Sequence, residues 1–479
     1  MSSVSNKKKI QHLYSRAGFG ISVSNLEKLK DNSLDNLVSK IFNDTKQFTE
    51  LKIDHGNGNM TAMSKEERQA MTKEQKKEVR KQSRQNVQTL NLKWIDKMVS
   101  EPGFLREKMT LFWHGHFACR DGNSVFNENQ NNVFRKNALG KFSDLLFAVS
   151  KDAEMLAFLN NQQNKKGSPN ENFAREVMEL FTLGRGNYTE NDIKNAARAF
   201  TGWAYDQDGT FVFRKRQHDE DSKVFLGRSG NFNGDDILNI ILENRKTSDF
   251  ITTKLYKFFV NEAVPENNRI KDLSKNFYNS GYDIQKLLSE IFTSDWFYDE
   301  KNIGANIKSP TELVVGLIKN FKITFKNEKP ILAIQKNLGQ VLLYPPNVAG
   351  WSGGKNWIDT STMMLRMKLP EILFKSSELE FEYNEDPQEM GEIMSKLKPK
   401  DKALYKQVRT SIDLKDQILM LSEKDNNEIL DILSDSILSK KPSNATLEAV
   451  KKYLDTSSKE NFIESSIMRL LSVPEYQLS

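Results

Sequence analysis

Cysteine is almost missing from the chain: Cys119 is the one copy among 479 residues. That excludes an intrachain disulfide framework and any zinc or iron–sulfur site built on thiolates. A dominant charge sign is missing too. Lys and Arg number 70 against 64 Asp and Glu, and a surplus of +6 over this length is no nucleic-acid footprint. Proline and glycine are too sparse, at 12 and 24, for collagen-like or low-complexity classes. No run of about 18 apolar residues occurs, so no membrane span is expected. The segment after MSSVSNKKKI lacks an apolar stretch, so no secretory leader is visible. These absences predict a soluble, cytoplasmic, bacterial-type protein, with an envelope or secreted location left open. G-x-S-x-G, H-E-x-x-H and a G-x-G-x-x-G following a strand are also lacking, which counts against the familiar hydrolase, zincin and dinucleotide-binding readings.

What is present is apolar side chain in helical rhythm. Hydrophobic residues make up 38% of the chain, enough to rule out whole-chain disorder. Leu105, Met109, Phe112, Trp113 and His116 recur at helical spacing, as do Phe142, Leu145, Leu146 and Val149. Ser168-Pro169-Asn170-Glu171 reads as a capping box opening a helix that Gly184 stops, and Thr189 caps the next. Helices are also expected at 235–244, 248–260, 268–279 and 283–293, from 311, and near 384–397, 400–410, 414–422, 426–438, 444–454 and 459–473. GTFVFR and KVFLG alternate like two short strands joined by RQHDEDS. The expected fold is mainly α: an irregular multi-helix architecture with a small β-hairpin insertion near 209–228. A main domain over 1–382 would carry a charged helical excursion at 64–89, the hairpin region at 209–233 and a Pro/Gly/Trp loop at 344–360. A helical region over 383–479 would pack on it.

Histidine, at five copies, marks the candidate chemistry. In WHGHF, His114 and His116 stand at i and i+2, about 200° apart on a helix, so one ion takes both only if the helix ends at Gly115. His116 falls on the buried side with Phe112 and Trp113, and His114 faces away with Thr110. In NENFAREVMEL, Arg175, Glu176 and Glu179 share a polar flank, suited either to a cation or shared proton or to an exposed ion-pair ladder. His218-Asp219 lies among further carboxylates, where a hard divalent cation is conceivable. Trp351 and Trp357 flank Gly353-Gly354-Lys355; they either stack on a flat ligand or plug the loop into the core. The Lys/Arg-rich 64–89 stretch has Glu interleaved, which argues against a nucleic-acid arm.

HLYSRAGFG (12–20), FWHGHFA (112–118), the block 170–203, FVFRKRQHDEDSKVFLGRSGNFNGDD (211–236), KSPTELVVG (308–316) and LGQVLLYPPNVAGWSGGKNWI (338–358) together resemble a bacterial family known as domain of unknown function 1800. The resemblance spans nearly the whole chain and implies no established activity. It implies export for many relatives, which the missing leader does not match, and a neighbouring sulfatase- or phosphatase-like protein as partner. His12, Arg16, His116, Asn172, Arg175, Glu176, Glu179, Trp203 and His218 match its motif positions. Two expectations follow. One is an enzyme with catalytic His116, Glu176, Glu179 and Arg175, substrate contacts at Trp203, Trp351 and Trp357, and a divalent metal ion on His116, Glu176 and His218. Its substrate would be polar, a carbohydrate or a phospho- or sulfo-ester. The other is a non-catalytic binding or assembly module.

Overall fold

In the computed structural model, residues 4–59, 61, 63–120, 122–263, 268–379 and 399–479 are described. The expected helix near 384–397 and the boundary at 382/383 lie outside them. The fold is mainly α-helical, with three antiparallel two-strand sheets among the described residues. No described helix is long and apolar enough to cross a membrane.

The hairpin prediction is corrected in its pairing. Trp203–Tyr205 pairs with Phe211–Phe213, and Lys223–Phe225 pairs with Arg228–Gly230, so the two predicted strands belong to separate hairpins. Short loops closed each strand on its nearest neighbour, at Asp206–Thr210 and at Leu226-Gly227, rather than across RQHDEDS. The Ser168 capping box does not form either. Ser168 sits in an isolated bridge with Lys165, and the helix starts at Asn172 after Asn170 accepts the Asn172 N–H. The charged 64–89 stretch is the short helix Lys65–Ala70 followed by the exposed half of a long helix, Lys73–Ser100, whose second half buries Val87, Leu90, Trp94 and Met98.

Two clusters of buried apolar side chains organise the molecule. One gathers Leu13, Met109, Trp113, Phe142, Phe181, Ile251 and their neighbours. The other gathers Trp94, Leu111, Val315, Leu342, Leu369 and the C-terminal helices through Ile463 and Leu470. The helix Phe104–His116 runs between them. Its apolar residues are divided, with Met109 and Trp113 in the first cluster and Leu111 in the second. A helix buried on nearly every side has almost no solvent face. Its polar residues must therefore find partners inside. Glu107 takes Arg135 and the Trp94 indole N–H, and Lys108 takes Glu312 and the Gly18 carbonyl.

Candidate functional site

The C-terminal end of this helix opens onto a cleft of about 680 Å³. Four segments far apart in sequence line it. Arg16 comes from the first helix, Gly115 and His116 from the helix Phe104–His116, Ser309 and Glu312 from the start of the helix Pro310–Asn320, and Trp351 to Trp357 from the Pro/Gly loop. Lys254, Lys257 and Phe258 on the helix Arg245–Phe259, with Glu262 just after it, close another wall.

Helical geometry holds the two histidines apart as expected, but both are buried, which corrects the outward placement of His114. Gly115 does not end the helix, which continues through His116. His114 Nε2 accepts the Leu343 N–H at 3.0 Å, and its ring packs against Trp94 and Trp351. Leu343 sits at φ +67, a strained value for a branched side chain, and this bond helps hold it there. Burial pushes the His114 imidazole down to about 3, so it stays neutral as an acceptor. His116 turns the other way. Its Nε2–H donates to the Phe181 carbonyl at 3.1 Å, which leaves Nδ1 to accept from the Lys254 ammonium at 3.1 Å. Lys254 also donates to the Leu180 carbonyl at 3.3 Å. Burial, reinforced by the Lys254 charge, keeps His116 well below the usual imidazole range. Burial and the neighbouring Lys257 bring Lys254 down to about 8.

The carbonyls of Leu180 and Phe181 are available because Val177–Thr182 is a π-helical turn, ending near Gly184 at φ +77. Carbonyls in a last helical turn lack partners within the helix, and the negative end of the helix dipole favours a cation there. The 170–203 block thus supports the cleft from behind without lining it.

The Pro/Gly loop is seated by backbone contact. A Cβ on Gly350, which lies at φ +74, would stand 2.3 Å from the Gly115 carbonyl oxygen. Gly350→Ala is expected to cost about 3 kcal/mol, from the clash and the left-handed backbone together. Gly353→Ala, at φ +73 and ψ −179 with nothing within 4 Å, is expected to cost about 2 kcal/mol from the backbone alone. Thermal unfolding compares the two, and equal losses would remove the steric account.

The remaining predicted site residues lie elsewhere. Glu176, Glu179 and Arg175 do share one flank, at the surface. Arg175 bridges Glu190 at 2.9 Å and Glu171 at 3.2 Å, while Glu179 pairs with Arg185 at 2.5 Å and Tyr188 at 3.0 Å. Partial burial, then the Glu179 charge, raises the Glu176 carboxyl. His218 is buried against the Thr201 carbonyl at 2.9 Å and the Phe213 ring. Trp203 is buried between Phe200, Phe211 and the backbone of Gly234, not on the cleft. Trp351 and Trp357 do line it. The expected assembly of His116, Glu176 and His218 is not made: among the described residues no three His, Cys, Asp or Glu side chains are placed to hold one ion. His116 and His218 are tied to their own local partners instead, and Glu176 stands among the charges of the surface flank.

Sequence reasoning missed Lys254, Lys257, Glu262, Glu312 and Lys355. Lys254 had left a signal, since it stands between Phe250 and Phe258 in one i, i+4 row of an apolar face. Glu312 was visible only as the capping residue of Ser309, whose N–H it accepts. Glu262 lies in an irregular segment with no pattern to mark it, and Lys355 was visible only as part of the loop between Trp351 and Trp357.

A family model described as "Protein of unknown function (DUF1800)" matches residues 12–478. No curated protein and no solved structure matches the chain.

Proposed function

The chain belongs to the family described as Protein of unknown function (DUF1800), and we propose that it is an enzyme whose active cleft lies between His116, Lys254, Glu262 and the Trp351–Trp357 loop. The observation that carries this reading is the meeting of four separate family-like segments, those holding Arg16, His116, Glu312 and Trp351, at one cleft. A lysine of about 8 is ready to give or take a proton near neutral pH. His116 positions it, because the imidazole is fixed as an acceptor by its bond to Phe181. Glu262, its carboxyl raised by partial burial, faces the same space as a second acid–base group. The two tryptophans supply flat apolar surface suited to a sugar ring. The substrate class is a polar one, a carbohydrate or a phospho- or sulfo-ester. Glu176, Glu179 and Arg175 remain outside this cleft, and no step is assigned to them.

Competitive acetylation read by mass spectrometry tests the centre of the proposal. Lys254 is expected to be labelled half-maximally near pH 8, well below exposed lysines, and to lose part of that advantage in Lys257→Ser, which removes the neighbouring charge. A panel of nitrophenyl glycosides, phosphates and sulfates is expected to give turnover that Lys254→Met abolishes. Ordinary labelling of Lys254, with no turnover on any of the panel, would sink the reading.

One observation favours a second reading, an assembly module. Met364 and Met367, 56% and 36% exposed, stand at i, i+3 on the helix that follows the loop. Flexible thioethers on a surface suit an adaptable protein contact, and the partner would be a sulfatase- or phosphatase-like protein. Native co-purification that survives Met364→Ser/Met367→Ser unchanged would remove it.

A further inference from the structure

The cleft walls are unbalanced in charge. Arg16, Lys254, Lys257 and Lys355 line it against two carboxylates, Glu262 and Glu312. Glu312 is already committed, since Lys108 and the Ser309 N–H hold its two oxygens. Its field is shared further: Arg16, Lys308 and Arg366 also lie close enough to interact with that one carboxylate. Four cations therefore converge on Glu312 at the inner end of the cleft, and Glu262 is the one further carboxylate that acts on Arg16. The chain as a whole carries only +6 spread over 479 residues, so this concentration is local.

Hydrogen bonding is unbalanced in the same direction. Arg16 is 2% exposed. Its Nη2 donates to the Val260 carbonyl at 3.0 Å and the Asn302 carbonyl at 3.2 Å, while its Nε has no partner. Arg366 is fully buried, and its Nε and Nη2 likewise lack acceptors. A buried guanidinium N–H left without an acceptor costs about 1–3 kcal/mol, and a buried charge without its counter-charge costs more. Both deficits are of one kind: acceptor oxygen and negative charge are missing where donors and positive charge are in excess.

Resting on the cleft reading above and narrowing its substrate, we propose that the inner end of the cleft is a seat for a compact oxyanion, a phosphate- or sulfate-type group, held by the Arg16 guanidinium with Lys254 beside it and Lys257 and Lys355 at the mouth. Arg16 is the anchor because its Nε is unpaired and the side chain lines the cavity. Lys108, Lys308 and Arg366 do not need to touch the ligand. They cancel Glu312, which leaves Glu262 as the single carboxylate against Arg16, Lys257 and Lys355, a net positive balance. Lys257 and Lys355 are exposed and steer the anion inward. The rings of Trp351 and Trp357 would then cover whatever the oxyanion is attached to.

The experiment is calorimetric titration of the full chain at low salt with sodium phosphate, sodium sulfate, glucose 6-phosphate and glucose. One saturable site is expected for each anion, weakening as salt rises, with glucose alone not binding in its place. Tighter binding of the sugar phosphate than of phosphate supports an oxyanion carried by the substrate, and equal binding supports a free ion. Arg16→Gln is expected to weaken phosphate at least about tenfold, the loss of one charge-assisted hydrogen bond. Because Arg16 also ties the Val260 and Asn302 carbonyls, Lys257→Ser and Lys355→Ser at the mouth serve as variants that leave the interior intact, each expected to weaken phosphate about threefold. No saturable phosphate or sulfate binding, or affinity unchanged in all three variants, overturns the seat. Early acetylation of Lys254 without anion binding sinks only the seat. Anion binding with ordinary Lys254 reactivity sinks only the acid–base reading.

Discussion

Acidification from roughly pH 7 to pH 5 is expected to cost the fold about 5 kcal/mol. Three buried imidazoles carry the effect. His114 is pushed down to about 3 by burial alone. His116 is held well below its ordinary 6.5 by burial and then by Lys254. His12, packed on Phe297 at 4.6 Å, is lowered by burial and then by Arg16. Each is neutral in the folded chain and protonates near 6.5 in the unfolded one. Below that value the unfolded chain binds more protons, so stability falls with pH by about 1.4 kcal/mol per unit per group. Three groups over about 1.5 units lose about 6 kcal/mol. Asp152 runs the other way. Burial raises its carboxyl to about 6, so the folded form takes its proton first and regains about 1 kcal/mol. Urea unfolding at the two pH values measures the difference. A loss under about 1 kcal/mol would mean that the imidazoles reach water. In His114→Gln, where an amide oxygen replaces the ring acceptor for Leu343, the slope is expected to drop by about a third.

Glu107→Ala is expected to destabilise by about 4 kcal/mol. Glu107 and Arg135 are both fully buried, joined at 2.6 and 3.0 Å, and the Trp94 indole donates to the same carboxylate at 3.0 Å. Removing the acid leaves the Arg135 charge uncompensated in a dry interior and its Nε and the Trp94 indole N–H without an acceptor, although Asn131 and Asn132 still accept from the guanidinium, and this costs more than the pair contributes. Removing both charges together restores balance, so Glu107→Ala/Arg135→Leu is expected to be milder than the single change. A single change costing under about 1 kcal/mol, by denaturant titration, would contradict the burial. The effect reaches the cleft, because the helix anchored here carries both histidines. Early acetylation of Lys254 is expected to be lost along with the stability.

The helices were legible because their signals are local. Thr189 with Asp192 and Ser309 with Glu312 form capping boxes readable in four residues. The opposition of His114 and His116 follows from 3.6 residues per turn and needs no tertiary information. The unreadable parts depended on competition between segments. The strand Phe211–Phe213 had two alternating neighbours and paired with the one a tight turn brought close. Ser168 lost its capping role to a bridge with Lys165. His218 and Glu176, scarce or paired residues in family-like blocks, were absorbed by the Thr201 carbonyl and a surface charge ladder.

Sequence alone determined a mainly helical chain, the opposition of His114 and His116, the glycine-held loop around Trp351 and the membership of the family. Tertiary structure decided which of its many ordinary lysines and arginines lost water. Lys254, one basic residue among 70, has only its place between Phe250 and Phe258 to mark it until His116, 138 positions earlier, and the Leu180 carbonyl close around it. Periodicity and capping act over a few residues and are written in neighbouring letters. Desolvation and the field of remote charges depend on what packs overhead, and only the folded chain supplies that.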